Sequence, residues 1–158
     1  MHRAAKLAAS RGIPIVLDPV GCGATPYRTA TAQALIQTAR PTLIRGNASE
    51  IRALVQAGGS TKGVDSLHTP DEAFDDAQSL SRSLGCTVTV SGPVDLVVAG
   101  DRVARIANGH PMMARVTGMG CTASAVSGAF LAVSPLPFEA AVEAMVAVGI
   151  AGEMAAED

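Results

Sequence analysis

Three short apolar runs, Ile13–Leu17, Thr42–Ile44 and Cys86–Val90, recur along the chain with helical segments between them. Each lacks the polar alternation of a half-exposed strand, so each reads as a strand buried on both faces. Strands of that kind, alternating with helices, predict an α/β fold: a mostly parallel sheet flanked by helices. The spacing predicts helices over Ala4–Ser10, Thr29–Thr38, Ala48–Gln56, Pro70–Leu84, Cys121–Val133 and Phe138–Glu157. Thr69 is the expected N-cap of the fourth, with Pro70 at its first position. Asp95–Ala99 and Arg102–Ile106 flank Gly100-Asp101 and read as a hairpin. Asp18–Thr25 is expected to be a polar turn region and Gly58–Ser66 a loop. No repeat, low-complexity tract or linker divides the 158 residues, which read as a single domain.

Composition narrows the partners. Apolar residues make up 48% of the chain and charged ones 16%, which excludes a disordered chain. A net charge of −2 without a basic block gives no footprint for nucleic acid or an anionic membrane. The most apolar segment, Ala123–Val133, is broken by Ser124, Ser127 and Gly128 and is too short to span a bilayer. Three cysteines, Cys22, Cys86 and Cys121, have no metal-type spacing and suit a reduced, cytoplasmic protein.

Ligands of such sheets bind beyond the carboxyl ends of the strands, where Asp18, Arg45 and Ser91-Gly92 are expected. Asp18 suits a hard cation held through water, or equally the start of a turn before Pro19. Arg45 offers a fork of donors for phosphate oxygens. Asn47 and Glu50 have capping-box spacing, which accounts for Asn47 and leaves Glu50 free to face the same cleft as well. Lys62–Ser66 reads as a solvated turn when taken alone, and His110, after Asn108-Gly109, as a loop residue.

The run Val116-Thr117-Gly118-Met119-Gly120-Cys121-Thr122-Ala123-Ser124-Ala125 sets two glycines just before a helix. A helix start has unpaired N–H groups and the positive dipole end, and glycine lets an anion approach the backbone. Cys121 is either oriented there toward a ligand or simply a small residue in the first turn.

Taken together, Val16–Gly21 with Gly23-Ala24-Thr25, Ile44–Ile51, Lys62–Ser66, Asn108–His110 and Val116–Cys121 resemble hydroxyethylthiazole kinases of the ribokinase-like superfamily. The segments fall in the family's order across nearly the whole chain. The resemblance implies transfer of the ATP γ-phosphoryl group to the primary alcohol of 4-methyl-5-(2-hydroxyethyl)thiazole, in thiamine biosynthesis. It implies ATP contacts for Arg45, Ser91, Gly92, Gly118 and Gly120, and Mg²⁺ held through water by Asp18 and Glu50. Ser91 replaces the family's usual Thr but keeps the hydroxyl. Cys121 takes the catalytic position where most ribokinase-like kinases carry aspartate.

It also implies a homo-oligomer, a trimer, and family members begin well before the point matching Met1. The expected domain is therefore an N-terminally incomplete ribokinase-like kinase with an open, association-prone strand edge. Three alternatives stand beside this reading. They are a noncatalytic nucleotide-binding or assembly subunit, a kinase for another heterocyclic alcohol such as hydroxymethylpyrimidine, and a cysteine hydrolase built on Cys121 and His110.

Overall fold

The computed structural model describes residues 1–58 and 70–157, with the side chains of 70–72 excepted. The Lys62–Ser66 segment and the expected cap Thr69 lie outside these residues. Among the described residues the strands are β1 (Val16–Leu17), β2 (Leu43–Asn47), β3 (Thr87–Ser91), β4 (Asp95–Ala99) and β5 (Arg102–Ile106). The helices are α1 (His2–Ser10), α2 (Pro26–Ala39), α3 (Ala48–Ala57), α4 (Pro70–Leu84), α5 (Met119–Val133) and α6 (Pro137–Glu157). No helix among them is long and apolar enough to cross a membrane.

The strands lie side by side in chain order. β1 and β2 run parallel, as do β2 and β3, while β3–β4 and β4–β5 are antiparallel. Among the described residues the sheet is thus mixed, with β4 alone running against four strands of one direction, in keeping with the mostly parallel sheet expected. The βα crossovers keep the first three strands parallel, and the tight turn at Gly100-Asp101 reverses the chain into the expected hairpin.

Alternation along the strands sends side chains to two separate cores. Ile44, Val88, Val90, Leu96 and Val98 pack with Ile51, Leu54 and Val55 of α3 and Ala77 and Leu80 of α4. Leu43 and Val97, pointing the other way, pack with Ala123 and Leu131 of α5 and Ala140, Ala141 and Met145 of α6. α5 packs against β1 at Gly128, where a Cβ would stand 3.8 Å from Val16 Cγ2, an ordinary contact.

Local chemistry explains the helix ends. Thr25 accepts a hydrogen bond from the Arg28 amide with Pro26 at the first position, so α2 starts three residues earlier than its apolar spacing indicates. The expected capping box is present: Asn47 Oδ1 accepts from the Glu50 amide at 2.9 Å, and Glu50 Oε2 accepts from the Asn47 amide at 2.9 Å. Pro111–Arg115 forms a 3-10 turn that the apolar spacing did not signal.

Two further expectations are corrected. The Ile13–Leu17 run is not a strand buried on both faces. Only Val16 and Leu17 pair, both half-buried, and Ile13 is 52% exposed, because β1 has a neighbour on one side only among the described residues. Arg45 and Ser91 lie within β2 and β3 rather than after them, since β2 continues two residues past Arg45.

Candidate active site

Three strand ends and one helix start converge. β1 delivers Asp18, β2 ends on Arg45, Gly46 and Asn47, β3 ends on Ser91, and α5 arrives with its N-terminus. The helix lacks a side-chain cap, and Gly118 takes the cap position at φ +84°, a left-handed conformation that suits glycine. The first helical bond runs from the Thr122 amide to Gly118 O at 2.9 Å, while the Met119 amide turns back to Val116 O at 3.2 Å. The amides of Gly120 and Cys121 therefore have no acceptor among the described residues, and they stand at the positive end of the helix dipole.

Arg45 lies beneath this helix start. It is only 6% exposed, and a Cβ on Gly120 would stand 3.7 Å from its Nη1. Arg45, Thr89 and Val97 are register partners across β2, β3 and β4 and share the α5–α6 face. Arg45 Nε and Thr89 Oγ1 are buried without a hydrogen-bond partner. The guanidinium meets polar groups: Nη1 makes a long contact to Ser124 Oγ at 3.5 Å, and Ser124 Oγ donates to Asp18 Oδ2 at 2.6 Å. Asp95 adds negative charge nearby. Burial raises its carboxyl above the ordinary value, while its bond from the Gly92 amide and attraction to Arg45 pull the other way.

Glu50 occupies a different position. Its Oε1 accepts from the Gly21 amide at 2.8 Å and its Oε2 from the Asn47 amide, so one carboxylate ties the loop after β1 to the start of α3. Gly46 makes room for it, since a Cβ there would lie 3.2 Å from Oε2. Glu50 lines a hollow of about 460 Å³ with Gly21, Gly23, Asn47 and Arg52 that includes neither Arg45 nor Cys121. Of the expected site residues, the structure thus brings Asp18, Arg45 and Gly120 together, and Glu50 joins them only through the backbone of the loop.

Ser91 Oγ donates to Gly46 O at 3.3 Å, and the Gly92 amide donates to Asp95 Oδ1 at 2.9 Å, so this pair closes the ends of β2, β3 and β4. Cys121 is an exposed free thiol on the first turn of α5. Cys22 and Cys86 are buried and free, and burial raises both thiols, Cys86 to about 11. His110 Nδ1 accepts from the Met112 amide at 3.3 Å and forms no hydrogen bond with Cys121, so the pair required of a cysteine hydrolase is not assembled.

Three contributors have no site role in the sequence reading: Ser124, Thr89 and Asp95. Ser124 follows Gly120 by one helical turn, a spacing that puts both on one face of α5, and that was the available signal. For Thr89 and Asp95 the signal was strand alternation with Arg45 across the sheet, which depends on register.

The chain matches the hydroxyethylthiazole kinase family over residues 1–158. It is 52% identical over 157 residues to a hydroxyethylthiazole kinase of Nitratidesulfovibrio vulgaris, covering 99% of this chain and 59% of that one. It is 54% identical over 158 residues to one of Syntrophus aciditrophicus, covering 99% and 58%. Among solved structures, hydroxyethylthiazole kinase from Pyrococcus horikoshii superposes with a TM-score of 0.88 at 39% identity, over 98% of this chain and 57% of that one. An ADP complex of Bacillus subtilis pyridoxal kinase superposes at 0.61 with 26% identity, over 92% and 57%. The chain spans a little under three-fifths of the length of these relatives, and its fold is the ribokinase-like α/β arrangement.

Proposed function

Because the chain belongs to the hydroxyethylthiazole kinase family, we propose that it binds ATP at the start of α5. There it supports transfer of the γ-phosphoryl group to the primary alcohol of 4-methyl-5-(2-hydroxyethyl)thiazole, in thiamine biosynthesis. The observation that carries this reading is the uncapped α5 terminus resting on a buried guanidinium. A charge buried with an unpartnered Nε is stabilised when an anion arrives, and unpaired amides receive phosphate oxygens without reorganisation.

In this reading Gly118, Gly120 and Arg45 grip the phosphates, and Ser91 and Gly92 line the nucleotide. Mg²⁺ fits the donor set. Among the described residues no three His, Cys, Asp or Glu side chains form a metal cage. A cation that keeps water and leans on substrate phosphates needs only one or two carboxylates. Asp18 presents one oxygen without a partner among the described residues, and Glu50, with both oxygens on amides, serves only through water. When bound, Mg²⁺ neutralises charge on the phosphate oxygens. Phosphoryl transfer through a loose transition state relies on positioning more than on a strong base, so the Cys121 thiol suffices to orient the alcohol. The alcohol oxygen bonds the γ-phosphorus as the bond from that phosphorus to the ADP oxygen breaks; the alcohol proton is released to solvent and ADP departs with the electrons of the broken bond.

Free thiols and the absence of a basic block are compatible with a cytoplasmic site of action. The trimer is tested by sedimentation of the isolated chain. The chemistry is tested by ADP release with the thiazole alcohol and by ATP affinity, each with and without Cys121→Ala. The expected result is a turnover loss of about a hundredfold with little change in ATP affinity. ATP binding without thiazole-dependent ADP release would favour a noncatalytic nucleotide-binding subunit. ADP release with hydroxymethylpyrimidine instead would favour a kinase for another heterocyclic alcohol.

A further inference from the structure

We propose that Ser124 is a positioning residue: its hydroxyl orients the Asp18 carboxylate for hydrated Mg²⁺. The inference rests on the phosphoryl-transfer reading and adds to it a residue that touches neither nucleotide nor acceptor.

A serine inside a helix ordinarily turns its hydroxyl back to the carbonyl four residues earlier, and Ser127 does so, donating to Ala123 O at 2.8 Å. Ser124 does not. Its single proton goes to Asp18 Oδ2 at 2.6 Å, across 106 residues of chain. Arg45 only donates and an ionised carboxylate only accepts, so the hydroxyl between them has one available orientation. The long Nη1 contact at 3.5 Å completes a chain from guanidinium to hydroxyl to carboxylate. Among the described residues, Ser124 makes the α5 side-chain hydrogen bonds that reach the strand ends.

Packing of Ala123 and Leu131 against the sheet sets the register of α5 that this contact needs. Gly120 and Ser124 are one turn apart on the face toward Arg45, so sliding α5 by one residue breaks the bond and moves the Gly120 amide away from the guanidinium. The same bond occupies Asp18 Oδ2, while Oδ1 accepts no hydrogen bond from the described residues. Residues that orient a metal-side carboxylate change metal affinity by about 10- to 100-fold when removed.

The test is calorimetric titration of ATP into the whole chain, in EDTA and at graded Mg²⁺, for wild type, Ser124→Ala and Ser124→Thr. For Ser124→Ala we expect the Mg²⁺ needed for half-maximal gain in ATP affinity to rise about tenfold. Affinity in EDTA should stay near the wild-type value, and Ser124→Thr should recover most of the difference. An unchanged Mg²⁺ requirement overturns the proposal and leaves the kinase reading standing. Equal losses with and without Mg²⁺ overturn it too, because they describe a general packing role. If wild type shows no Mg²⁺-dependent ATP binding, the phosphoryl-transfer reading falls and the role of Ser124 falls with it.

Discussion

Replacing Glu50 with alanine isolates the clasp between the loop after β1 and the start of α3. The carboxylate accepts from the Gly21 amide at 2.8 Å and from the Asn47 amide at 2.9 Å. Hydrogen bonds to a charged group contribute about 1.5–3 kcal/mol each, and half-exposure of Glu50 selects the lower end. Two such bonds give about 3 kcal/mol, or about 6–12 °C in Tm for a chain of this size. Glutamine cannot imitate the clasp, because its one oxygen serves one amide while its NH₂ confronts the other donor. Urea unfolding without nucleotide or Mg²⁺ measures both variants apart from any catalytic role. Glu50→Ala should lower the midpoint at constant m-value, with Glu50→Gln losing about half as much or more. A loss under about 1 kcal/mol for alanine, or a glutamine variant as stable as wild type, would refute the two-bond account.

Three other outcomes follow from burial and backbone geometry. In native protein at pH 8, a disulfide reagent should label Cys121 quickly and Cys22 and Cys86 only on unfolding, since burial disfavours both thiolates; two fast thiols would contradict this, and ATP should slow the labelling of Cys121. Gly118→Ala forces a Cβ into φ +84° and should destabilise by about 1–2 kcal/mol in urea unfolding, an unchanged midpoint refuting the strain. Asp95→Asn should raise Tm at pH 7. The folded carboxyl holds its proton more tightly than the unfolded one, so stability falls as pH climbs from the ordinary 3.8 through the raised value. The gain should vanish near pH 3, where Asp95 is protonated in both states; a lower Tm at pH 7 would mean that attraction to Arg45 outweighs burial.

Features set by near neighbours in the chain were legible in the sequence. The Asn47–Glu50 capping box, the Asp95–Ile106 hairpin and the glycines before α5 need only a few adjacent residues, and all three are present. The amide end of α5, which defines the candidate site, belongs to the same class. Tertiary structure decided the rest. It placed Arg45 under α5 rather than beyond β2, because strand alternation assigns a face only once register with Thr89 is set. It turned Glu50 toward the Gly21 amide and away from Arg45, and it left β1 half-buried with one paired side. The bond from Ser124 to Asp18 spans 106 positions, and no local pattern encodes a contact whose partners meet only after the sheet has assembled.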